Sequence, residues 1–112
     1  MSTERREHQR FKLSVPVEIC SESADTPLRG ATSDLSLGGC YVESIFPFPI
    51  GTHLELKLQL EDTLLILATA VTCDAQVGNG IRFDKILPED LEQLETFLKS
   101  VAEKEAAEME NK

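Results

Sequence analysis

The sequence predicts an all-β domain: about six short antiparallel strands forming a small barrel or sandwich, followed by one C-terminal α-helix. Three observations carry this. Apolar residues alternate with polar ones in several runs from Phe11 to Phe83. Turn residues separate those runs, with no helical pattern between them. After Pro88 the apolar period changes from two to between three and four. A chain of 112 residues with 41% hydrophobic content fits one domain with its own core.

The elements follow in order. Residues 1–10 are charged and unpatterned and read as a flexible basic arm. In "FKLSVPVEIC" Phe11, Leu13, Val15, Val17 and Ile19 alternate with polar residues, predicting a half-buried strand from Phe11 to Cys20. Pro16 falls on its outward set and predicts an edge position. After the polar connection "SESADTPLRG", a strand is expected from Leu28 toward Asp34. The next begins at "GGCYVES", with Cys40 and Val42 on one face.

"FPFPIG" (Phe46 to Gly51) reads as a rigid loop, since two prolines and a glycine restrict or release the backbone there. "HLELKLQL" predicts a strand with Leu54, Leu56, Leu58 and Leu60 inward, ending in a turn at Glu61 to Thr63. "LLILATAVTC" is apolar almost throughout and predicts a more central strand. Gly78-Asn79-Gly80 predicts a turn, followed by a short strand with Ile81 and Phe83 inward. The domain body is thus 11–87. Over 88–112 Pro88 suits a first helical position, and Leu91, Leu94, Phe97, Leu98 and Val101 form one stripe. Past Ala102 the stripe fades and a fraying acidic tail is expected.

Charge and cysteine content narrow the function classes. The net charge of -9 argues against a nucleic-acid polymer or a membrane surface as partner. The charge is uneven, however. Arg5, Arg6, Arg10 and Lys12 sit in the first dozen residues, against a strongly acidic C-terminal segment. A basic arm on an acidic body points to a local anion site. Cys20, Cys40 and Cys73 are odd in number and widely spaced, so neither a disulfide framework nor a zinc site is indicated. Each reads as a small buried apolar residue in a reducing compartment. The first residues carry no apolar signal core, and no apolar run reaches the roughly 20 residues that span a bilayer. A cytoplasmic protein without membrane insertion is expected.

Two constellations carry chemistry. Arg6 and Arg10, four apart, share one face of either a helix or a strand. With Arg5 they can converge on phosphate, or on the N7/O6 edge of guanine. Taken alone, they also read as a solvated terminus. The second is "DLSLGGCYV". Asp34 can accept hydrogen bonds from N1–H and N2–H₂ of a guanine, Ser36 can donate or hold a turn, and Gly38 and Gly39 leave space beside the backbone. Taken alone, Asp34 and Ser36 equally read as caps of a turn, with the glycines at a barrel corner. Catalytic alternatives lack support. Ser36 has no G-x-S-x-G surroundings, His8 and His53 have no signalled partner, and Gly78 and Gly80 lack the lysine and helix of a phosphate loop. No metal-ligand set is signalled, and no enzyme is expected.

Together, "Arg6-x-x-x-Arg10", then "Asp34-x-Ser36-x-x-Gly39", then small-barrel strands resemble the PilZ domain, the bacterial receptor module for cyclic di-GMP. The resemblance spans about residues 5–101, and "VPVEI", "PIGTHLELKLQL" and "GIRF" also fit the family layout. One departure is Thr72-Cys73, where many relatives carry a Trp. The resemblance implies a six-stranded antiparallel β-barrel with one C-terminal α-helix. It implies an arm that holds the dinucleotide against the Asp34–Gly39 strand, and a nucleotide receptor that relays its ordered state to a downstream protein. The ligand-binding residues it implies are Arg5, Arg6, Arg10, Asp34, Ser36, Gly38 and Gly39, with cyclic di-GMP as ligand and no other cofactor. In the family, an Arg just before the arginine motif goes with an intercalated ligand pair, so Arg5 implies two nucleotides per chain. The alternative is a PilZ-like adaptor that works through protein contacts and binds no nucleotide.

Overall fold

The computed structural model describes residues 9–22 and 25–110. In chain order they form β1 (Pro16–Ser21), β2 (Leu28–Leu35), β3 (Gly39–Glu43), β4 (His53–Gln59), β5 (Thr63–Ala70), β6 (Gly78–Ile86) and α1 (Pro88–Glu110). The strands close into a barrel in the order β1-β2-β3-β6-β5-β4. Every adjacent pair is antiparallel. The period-two pattern produces this directly. In β4 Leu54, Leu56 and Leu58 are buried, Glu55 and Lys57 between them are half-buried, and His53 and Gln59 at the ends are exposed. Leu35, Leu56, Leu58, Leu64, Ile66 and Leu94 are wholly buried. Each such side chain contributes about 1.5–3 kcal/mol of transfer free energy.

Closure corrects the edge expected at Pro16. β1 pairs with β2 on one side and β4 on the other, so the barrel has no edge there. Pro16 is instead the first residue of β1, where the missing N–H is tolerated. The single strand expected from Phe11 to Cys20 is also divided. Residues 11–15 hydrogen-bond to β2: Phe11 and Leu35 exchange N–H···O bonds of 2.9 Å, and Thr32 N donates to Val15 O at 2.9 Å. The buried Thr32 hydroxyl closes the seam, accepting from Val15 N at 3.0 Å and donating to Leu13 O at 2.6 Å. This seam runs the base of the arm along β2.

β5 has a neighbour on each side, β4 and β6, as expected of a central strand, while Leu65 and Leu67 face outward at 41% and 47% exposure. Its apolar composition concealed an ordinary alternation. Gly78-Asn79-Gly80 is not a turn but the start of β6. The turn lies just before it, where Val77 N and Gly78 N both donate to Asp74 O and Gln76 takes φ 63°. Gly78 is required by close approach: a Cβ there would lie 2.3 Å from Val42 O on β3. Asn79 is buried and fastens the proline loop, with Oδ1 accepting from Phe48 N and Nδ2 donating to Phe48 O and Thr72 O, each at 2.8 Å. Finally, only Cys40 is a buried thiol, while Cys20 is half-buried and Cys73 exposed on the loop after β5.

α1 joins the core through Leu94 and Leu98, with Phe97 and Val101 packed beside them. Asp90 in its first turn accepts from Leu65 N on β5 at 3.3 Å. The helix continues past Ala102 to Glu110 on residues with high helix propensity, and residues 103–109 are exposed. Among the described residues no helix is long and apolar enough to cross a membrane.

Candidate functional site

The seam between residues 11–15 and β2 delivers Arg10 to Asp34. Phe11 and Leu35 form an antiparallel bridge, so Arg10 and Asp34 lie on the same outer face as diagonal neighbours, a gap that the long arginine side chain spans. The pairing of β2 with β3 shifts register between Thr32 and Asp34, placing Ser33 in a bulge. Beyond it, Leu35 and Cys40 are an inward pair, and Asp34 and Tyr41 lie across from one another on the outer wall. A bulge is a standard means of re-aiming one side chain. Arg10 Nη1 donates to Asp34 Oδ1 at 3.2 Å and Oδ2 at 3.3 Å. The side chains are 55% and 28% exposed, so the pair remains accessible to solvent and exchangeable. An exposed pair of this kind contributes about 0–1 kcal/mol to stability.

The rest of the Asp34–Gly39 segment is the turn that places the acid. Ser36 is buried, and its Oγ accepts from Gly38 N and Gly39 N at 3.1 Å each. The same hydroxyl donates to Gly39 O at 3.3 Å, and Ser36 N donates to that carbonyl at 2.8 Å. Gly38 O accepts from Phe83 N of β6. Gly39 has no space for a side chain, since a Cβ would lie 2.3 Å from Ile81 O. The structure therefore brings Arg10 and Asp34 together outside, and sets Ser36, Gly38 and Gly39 beneath them as the brace. Arg5 and Arg6, like His8, lie outside the described residues.

Electrostatics reach inward from the pair. Burial pushes the Cys40 thiol up to about 12, Asp34 adds to the rise and Arg10 partly offsets it. Cys40 thus stays a neutral core residue directly beneath a charged wall.

Tyr41 and Arg82 belong to the same wall and were not singled out from the sequence. Tyr41 is the partner of Asp34 on one side and Gly80 on the other, and Arg82 is the partner of Gly39. The Tyr41 hydroxyl donates to Asp74 Oδ2 at 2.7 Å, which pushes the phenol up to about 12. Alternation in "GIRF" already marks Arg82 as outward, but its place beside Gly39 depends on the pairing of β3 with β6, which no local pattern encodes. The wall is an open face. A groove of about 530 Å³ between α1 and the β4–β5 turn, lined by Leu60, Glu92 and Phe97 among others, does not include it.

The family model of the PilZ domain matches residues 4–100. No curated protein matches the chain in sequence. Among solved structures, the PilZ domain of YcgR from Escherichia coli with c-di-GMP is similar at 20% identity and a TM-score of 0.71, covering 97% of this chain and 99% of that one. YcgR from Escherichia coli in complex with c-di-GMP is similar at 21% identity and a TM-score of 0.74, covering 96% of this chain and 50% of that one. The Bacillus subtilis inhibitor of motility MotI/DgrA is similar at 20% identity and a TM-score of 0.73, covering 85% and 50%. The chain thus matches about half the length of these last two proteins. At such identities the likeness is one of fold, and it agrees with the closed six-stranded barrel. With that barrel and a family match over residues 4–100, the chain belongs to the PilZ domain family.

Proposed function

We propose that the chain is a receptor for cyclic di-GMP, held between the arginine arm and the outer wall at Asp34, which passes its ligand-bound state to a partner protein. The observation that carries this reading is the Arg10–Asp34 contact, which joins two motifs 24 residues apart on one exposed face. Guanine presents acceptors at N7 and O6 and donors at N1–H and N2–H₂. Arg10 is complementary to the first edge and Asp34 to the second. Without ligand each group satisfies the other. Binding then exchanges one solvent-screened ion pair for two directional base contacts. Arg5 and Arg6 supply further cations for the phosphodiesters, a local requirement in a chain of net charge -9.

Family membership and the c-di-GMP bound in the two YcgR structures support the choice of ligand. The role is that of a binding module rather than a catalyst. Ligand contacts order the arm over the barrel, a population shift whose end state another protein can recognise. Following the family pattern at Arg5, two nucleotides bind per chain. Calorimetric titration with cyclic di-GMP tests the reading. Saturable binding supports it, and its absence in a folded sample favours the adaptor instead.

A further inference from the structure

Arg82 stands beside the Arg10–Asp34 pair in a setting that leaves its charge available. The register of β3 with β6 sets Gly39 across from Arg82 and Tyr41 across from Gly80. These four residues form one square on the outer wall. Two of its corners are glycines and carry no side chain. Tyr41 and Arg82 occupy the opposite corners, diagonal neighbours at about 7–8 Å. The Tyr41 ring lies close over β6, its Cε1 being 2.9 Å from where a Cβ on Gly78 would sit. The Thr72 side chain covers Gly80, with its Oγ1 accepting from Gly80 N at 2.7 Å, so the outer wall beside Arg82 is bounded by Tyr41 and Thr72. Asp34 lies across β3 from there, opposite Tyr41.

The guanidinium is braced from behind. Arg82 Nε donates to Asp84 Oδ1 at 2.8 Å, while the side chain remains 59% exposed. Asp84 Oδ2 in turn accepts from the Thr69 hydroxyl at 2.5 Å, and Thr69 is buried. That hydrogen bond, followed by the Arg82 hydrogen bond and charge, holds the Asp84 carboxyl below its ordinary value and so ionised. Among the described residues, Arg82 has no other hydrogen-bond or ion-pair partner, so its terminal amino groups keep their donors for an external acceptor. A planar fork held through Nε on an exposed side chain, with its Nη donors unpaired among the described residues, is matched to a phosphate.

We propose that Arg82 is a further ligand-contacting residue of this domain, binding a phosphodiester of the nucleotide on the outer wall beside Gly39, with Asp84 and Thr69 as its positioning residues. The inference rests on the proposed cyclic di-GMP reading of the Arg10–Asp34 face and extends that site across β3 onto β6.

Titration of the whole chain with cyclic di-GMP tests it, using Arg82→Gln, Arg82→Lys, Asp84→Asn, Arg82→Gln/Asp84→Asn and Arg10→Ala, each checked by thermal melting. Arg82→Gln is expected to weaken binding roughly tenfold or more, as loss of a charge-assisted contact does. It is also expected to flatten the dependence of affinity on salt, with the melting temperature nearly unchanged. Arg82→Lys should retain part of the affinity. Asp84→Asn should weaken binding less than Arg82→Gln and add nothing to it in the double variant, since a brace acts only through the arginine. Unchanged affinity and salt dependence in Arg82→Gln, while Arg10→Ala loses binding, overturns this inference alone. Additive losses in the double variant overturn the bracing role. Absence of binding by the unsubstituted chain overturns the nucleotide reading and this inference with it.

Discussion

Arg10 and Asp34, 24 residues apart, meet through one Nη1 that lies 3.2 Å and 3.3 Å from the two carboxylate oxygens. The contact exists because the antiparallel bridge between Phe11 and Leu35 sets the two residues on one outer face as diagonal neighbours, within reach of the arginine side chain. Two side chains complementary to opposite edges of a guanine are thus held together by the barrel. Their mutual attraction is weak enough to be exchanged.

Replacing Arg10 by Ala removes a bidentate donor from an exposed position. Affinity for cyclic di-GMP should fall by about 1–3 kcal/mol, or roughly tenfold to a hundredfold. Melting should shift little, because the ion pair is exposed. Calorimetry with a parallel melting curve measures both.

Asp34→Ala should weaken binding and also narrow the preference for guanine over adenine, since adenine lacks the N1–H and N2–H₂ donors. Paired titrations with cyclic di-GMP and cyclic di-AMP report the ratio. An unaltered ratio would reduce Asp34 to a residue of the wall.

Gly39→Ala should act on the fold first. The new Cβ would have to displace Ile81 O, a backbone atom, so β3 and β6 must separate locally. A lowered melting temperature is expected together with weaker binding. A variant with native melting and lost binding would instead mean that the ligand itself needs the vacant position.

The thiols should differ sharply. With a thiol-specific reagent at neutral pH, Cys73 should react readily and Cys40 only on unfolding. Cys40 ionises at 9.0 when exposed and at about 12 in the fold. A thiol whose folded value is raised favours the folded state fully below pH 9.0. That contribution declines as pH climbs toward about 12, because the unfolded chain loses its proton first. Chemical denaturation from pH 8 upward should show this decline, and Cys40→Ala should lessen it.

The barrel was legible because alternation is local, and Leu54, Leu56 and Leu58 mark an inward face without reference to any other strand. Closure was not legible. Pro16 looks the same at an edge as at the first position of a strand with neighbours on both sides. Gly78-Asn79-Gly80 carries the composition of a turn, but its glycine and its asparagine answer to β3 and to the proline loop, contacts of long sequence separation. In the site, Arg10 and Asp34 could be selected by chemistry, while their meeting depends on the Phe11–Leu35 bridge. Ser36 was open between ligand and turn, and its hydrogen bonds within the turn could only be seen in the fold. Arg82 was missed because its neighbour Gly39 lies on another strand.

Arg5 governs stoichiometry in this account, as a third guanidinium that neutralises and stacks on a second nucleotide. The chain should saturate at two cyclic di-GMP molecules, and Arg5→Leu at one with its melting unchanged. Saturation of the unsubstituted chain at one nucleotide, with ligand well above the dissociation constant, would remove this role from Arg5.

The most direct measurement is calorimetric titration of the full chain with cyclic di-GMP, with cyclic di-AMP as the control. The account predicts saturable binding of the guanine ligand and binding of the adenine ligand weaker by at least tenfold, about 1.4 kcal/mol. A folded chain that binds neither, or both equally, would contradict the assignment of the Arg10–Asp34 face as a guanine-reading site.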